Sequence, residues 1–71
     1  MEKANARALR QAQLYGYLVA RSERVYYPGG NKPVCSLHMA NDMIRAGWLV
    51  YRDGKFEITS DGQRALGAEQ V

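Results

Sequence analysis

Gly47-Trp48-Leu49-Val50-Tyr51-Arg52-Asp53-Gly54-Lys55-Phe56-Glu57-Ile58-Thr59 is the stretch on which the fold turns. Asp53-Gly54 sits between two short runs rich in aromatic and β-branched residues. A type I′ turn needs positive φ at both central positions, and Asp-Gly tolerates both. The stretch therefore reads as a β-hairpin with a two-residue turn. Its register follows by counting outward: Arg52 faces Lys55, Tyr51 faces Phe56, Val50 faces Glu57 and Leu49 faces Ile58. Leu49, Tyr51, Phe56 and Ile58 then share one face, expected to be the core face. Arg52 and Lys55 fall side by side next to the turn, where like charges repel mildly unless an anion sits there.

Working outward, Ser36 is a good N-cap for a helix over 36–47. Leu37, Ala40, Met43 and Ile44 give that helix one apolar face, and His38, Asn41, Asp42 and Arg45 lie opposite. Gly47 is its expected stop. An alternative start places Pro33 in the first turn. On the other side of the hairpin, Thr59 or Ser60 caps a short closing helix over 60–66, with Asp61 in the positive first turn. Gly67 to Val71 reads as a frayed tail.

The N-terminal segment reads as a helix over 1–20. Ala8, Ala12, Tyr15, Leu18 and Val19 form its apolar stripe, and Lys3, Arg7 and Arg10 a basic line opposite. Gly16 weakens that helix by ~1 kcal/mol relative to Ala, a cost that a close packing contact would explain. Residues 21–35 are not helical, because Pro28, Gly29, Gly30 and Pro33 interrupt them. Glu23 to Tyr27 has strand character, and Val34-Cys35 pairing back on Val25-Tyr26 would make a short hairpin.

The chain has 71 residues, one domain at most, and a net charge of +3 from ten Lys and Arg against seven Asp and Glu. So small a core leaves no room for a deep substrate cavity, and dimerisation is the natural substitute for missing staples. The charge leans weakly toward a polyanionic partner. No apolar run is long enough for a membrane helix, and the charged start lacks the apolar core of a signal peptide. One cysteine, Cys35, cannot form an internal disulfide, so a cytoplasmic compartment is the expectation. Cys35 reads as a small buried hydrophobe.

The order helix, extended segment, helix, Gly-Trp-Leu, hairpin, Ile-Thr-x-x-Gly-x-x-Ala-Leu resembles a winged helix-turn-helix domain of prokaryotic or phage type. The resemblance rests on Met43 to Leu49 and on Phe56 to Leu66, and its specific part covers about 30 of the 71 residues, from Met39 onward. It differs in having no room for the usual second helix, so the chain resembles a shortened member. The implied fold is α+β and winged-helix-like. It has an N-terminal helix, an extended segment or short hairpin, a recognition helix, a two-stranded antiparallel wing and a closing helix.

The resemblance implies a sequence-specific DNA-binding protein, a small transcriptional regulator acting as a homodimer on double-stranded DNA. The helix over 36–47 would enter the major groove with His38, Asn41 and Arg45 facing bases, since Asn pairs bidentately with adenine and Arg with guanine. Arg52 and Lys55 would hold backbone phosphate from the wing. Arg7, Arg10, Arg21, Arg24 and Lys32 are further candidates for phosphate contacts, against plain solubility charges. Tyr26 and Tyr27 are candidates for base stacking or a partner contact, against packing in the core. Trp48 is expected at the core or its edge.

No nucleophile–base pair, paired carboxylates or phosphate loop is present, so an enzyme is not expected. His38 is a lone histidine, and no metal, cofactor or small-molecule effector is implied. The alternative reading is a protein-interaction module, an adaptor or phage-type inhibitor using the same fold without DNA. Asp42 and the modest charge favour it.

Overall fold

The computed structural model describes residues 1–69. The elements run α1 (Lys3–Tyr15), β1 (Val19–Arg21), β2 (Arg24–Tyr26), β3 (Cys35–Ser36), α2 (Leu37–Arg45), β4 (Leu49–Arg52), β5 (Lys55–Ile58) and α3 (Ser60–Glu69). This is an α+β arrangement of three helices and two small antiparallel sheets, ordered β1-β2-β3 and β4-β5.

The hairpin has the expected register: Leu49 with Ile58, Val50 with Glu57, Tyr51 with Phe56 and Arg52 with Lys55. Both turn residues have positive φ, 54° at Asp53 and 77° at Gly54, the geometry that matches the twist of the flanking strands. One face assignment is corrected. Leu49 and Phe56 are buried, but Tyr51 is 56% exposed. Close to the turn the hairpin projects past the core. Tyr51 instead leans on Phe56, ring centroids 4.8 Å apart at 58°.

The first helix is shorter than expected. It stops at Tyr15, and Gly16 adopts φ 88° just past its end. Nothing lies within 4 Å of a Cβ added at Gly16, so this glycine terminates the helix through its left-handed conformation and not through a close contact. Leu18 and Val19, expected on the helical stripe, lie beyond it. Leu18 pairs with Phe56 as an isolated antiparallel bridge, both N–H···O distances being 2.8 Å. Val19 opens β1.

Residues 21–35 contain no helix. They form a hairpin whose turn is Ser22-Glu23, with φ 50° and 66°. Arg21 faces Arg24 across it. Glu23, expected in the strand, is therefore a turn residue. The return pairing is Val25 with Cys35, as expected, and it extends to Arg24 with Ser36. Val34 donates its N–H to the Val25 carbonyl over 2.7 Å.

Ser36 caps α2 by accepting from the Met39 N–H at 3.1 Å, so the alternative start at Pro33 is not used. Gly47, φ 85°, stops the chain just beyond. The closing helix runs three residues further than expected, through Gly67 to Glu69, in place of a fraying tail; Gln70 and Val71 fall outside the described residues.

Every element but β1 contributes a buried side chain to one core. Leu9, Leu18, Val25, Met43, Phe56 and Leu66 are each at most 2% exposed, and among the described residues no charged or polar side chain is buried with them. Burying each large side chain contributes ~1.5–3 kcal/mol. Helix α1 packs on α3 and β5, while α2 packs on β4, β2 and β3. Trp48 packs half-buried at the core edge, as expected.

Candidate nucleic-acid interface

Helix α2 buries Ala40 and Met43 and lays Leu37 and Ile44 half-buried beside them. Its 3.6-residue period therefore turns His38, Asn41, Asp42 and Arg45 outward, and all four are exposed. Asp42 meets two side chains of this face. Its Oδ1 accepts from Arg45 Nη2, and its Oδ2 lies 3.4 Å from His38 Nε2.

Asn41 has a different setting. It borders an open groove of about 310 Å³ shared with Ala20, Leu37, Ile44, Tyr51 and Phe56. A second hollow shares Leu37 and Asn41 and adds Glu23, Ser36 and His38. Asn41, on α2, thus lies beside both the first hairpin and the β4–β5 hairpin. Antiparallel pairing of Leu18 with Phe56 sends β1 out in the direction of the wing tip. Each hairpin carries a basic pair flanking its turn, Arg21 with Arg24 and Arg52 with Lys55.

The cations of the β4–β5 hairpin have partners as well. Arg52 Nη2 donates to Glu57 Oε1 at 2.7 Å, from the same face of the hairpin. That hydrogen bond and the Glu57 charge hold the Arg52 guanidinium further above its already high range. Lys55 Nζ sits over the Tyr17 ring, 4.7 Å from its centroid. These are exposed interactions of small net energy.

The tyrosines are committed to the structure. Tyr27 stacks on Tyr15, centroids 4.6 Å apart and 11° from parallel. On its other side it lies so close to Gly30 that an added Cβ would be 2.9 Å from the ring. Tyr26 lies under the Arg21 guanidinium, 4.1 Å from its centroid, and Arg21 also donates to the Gly30 carbonyl. Both rings are half-buried, so Tyr26 and Tyr27 form no free stacking platform. The exposed large apolar side chains are Leu14, Tyr15, Val50 and Tyr51.

Arg64 is paired with Asp61. Lys3, Arg7, Arg10, Arg24 and Lys32 are exposed and have no ion-pair partner among the described residues. Lys3, Arg7 and Arg10 share the solvent face of α1.

Cys35 is buried and free, and burial pushes its thiol up to about 11. Among the described residues no group of three or more His, Cys, Asp or Glu is placed to hold a metal ion. No helix among them is long and apolar enough to cross a membrane.

Sequence reasoning missed the first hairpin and the roles of Asp42 and Tyr17. Gly16 held the available signal, since a helix stop there frees Tyr17-Leu18-Val19 to become extended. Comparison with known proteins finds no matching family model, no matching curated protein and no matching solved structure.

Proposed function

We propose that this chain is a winged-helix-like DNA-binding protein, a small transcriptional regulator of prokaryotic or phage type. Helix α2 enters the major groove, with Arg45, Asn41 and His38 toward base edges. Arg52 and Lys55 hold backbone phosphate from the wing, and Arg24 does so from the first hairpin. The observation that carries the reading is the exposed polar face of α2 flanked by two tight hairpins, each with a basic pair at its turn. Like charges placed side by side across a turn gain from a shared anion. A module this small holds DNA weakly alone, so a homodimer on a two-fold site is the working form.

A second reading, a protein-interaction module, draws on the apolar groove beside α2 together with exposed Val50 and Tyr51. Fluorescence anisotropy with random-sequence duplex DNA separates the two. Binding that weakens steeply with salt supports the first reading, and no binding at low ionic strength overturns it.

A further inference from the structure

We infer that Asp42 is the positioning residue of the α2 face, restraining Arg45 so that it selects its base; this rests on the DNA reading above. An acid on a surface that meets phosphates lowers affinity, and Asp42 has no evident structural duty. It is exposed, caps nothing and lies beyond the first turn of α2, where a carboxylate would gain from the helix dipole. What it does have is one oxygen accepting from Arg45 and the other 3.4 Å from His38 Nε2. An arginine held by a carboxylate has less rotamer freedom to lose when its planar fork meets guanine O6 and N7. A restrained Arg45 is also kept from swinging to the nearest phosphate, an interaction that would add affinity without sequence information. Asp42 therefore trades affinity for discrimination.

The test uses the whole chain and a duplex site selected by the wild type from a randomised pool. Asp42→Ala should bind random duplex several-fold more tightly than wild type at low salt, with a log–log salt slope steeper by ~1. Replacing the guanine read by Arg45 should weaken wild-type binding by ~10-fold or more, and Asp42→Ala binding much less. Asp42→Asn should behave as Asp42→Ala does, and Asp42→Glu, which restores the carboxylate, should recover discrimination. Circular dichroism controls for folding. A purely structural role predicts equal weakening on every sequence, which overturns the inference. So does discrimination in Asp42→Ala as sharp as in wild type. If wild-type protein binds no duplex, the DNA reading itself fails, and the inference with it.

Discussion

The hydroxyl of Thr59 donates to the carbonyl oxygen of Gly47 over 2.6 Å, bridging the end of α2 to the start of α3. The Thr59 hydroxyl oxygen in turn accepts from the Gly62 N–H at 2.9 Å and so caps α3. Thr59 N–H donates to the Trp48 carbonyl at 3.0 Å. Gly62 then packs on that carbonyl, and a Cβ added to it would lie 2.3 Å from the oxygen. The Gly47-Trp48 and Thr59-x-x-Gly62 patterns are two halves of one clasp, which closes the hairpin at its base and sets its angle to α2.

Gly62→Ala therefore forces the clasp open against backbone, not against a side chain that can move aside. A loss of ~1–3 kcal/mol is expected, the range for overpacking. Thr59→Val should lose ~1 kcal/mol or more, for the missing cap and the unpaired Gly47 carbonyl. Urea denaturation of both variants measures this.

The β4–β5 turn makes a similar demand on Gly54, at φ 77° with open space around it. Gly54→Val should destabilise by more than ~1 kcal/mol, because a β-branched residue resists positive φ. Unchanged thermal stability would contradict the turn geometry.

The two hairpins show how far the sequence could be read. Asp53-Gly54 states its conformation in its residue types, so the wing and its register followed by counting. Ser22-Glu23 adopts the same left-handed pair of angles with neither Gly nor Asn. Its conformation is imposed by tertiary pairing, of Leu18 with Phe56 and of Val25 with Cys35, between residues distant in sequence. The candidate site was legible to the same degree. The α2 period placed His38, Asn41 and Arg45 outward. It carried no information that Asp42 would hold two of them, or that Tyr17 would meet Lys55.

Glu23 at φ 66° stores strain that glycine does not have. Glu23→Gly should stabilise the chain by up to ~1 kcal/mol, with the gain reduced by the greater freedom of glycine in the unfolded chain. Thermal denaturation reads the sign, and a loss of stability would contradict the turn conformation.

Burial of Cys35 makes stability depend on alkaline pH. The folded thiol is pushed up to about 11 from an ordinary value of 9.0. The unfolded chain therefore releases its proton first. This contribution is complete below pH ~9 and is lost as pH rises toward ~11. Cys35→Ala should remove that component, so the stability difference between the variant and wild type should narrow over this window. Wild-type Cys35 should also resist alkylation at pH 8 until the chain is unfolded.

The most direct test of the central claim is duplex DNA binding across a salt series for wild type, Arg45→Ala and the Arg52→Ala/Lys55→Ala double variant. On a selected site, Arg45→Ala should cost ~1–3 kcal/mol and relax sequence preference. The double variant should weaken binding to all sequences about equally and lower the log–log salt slope by ~2. Wild-type protein that shows no salt-dependent binding at low ionic strength, or variants that leave affinity and slope unchanged, would contradict the account.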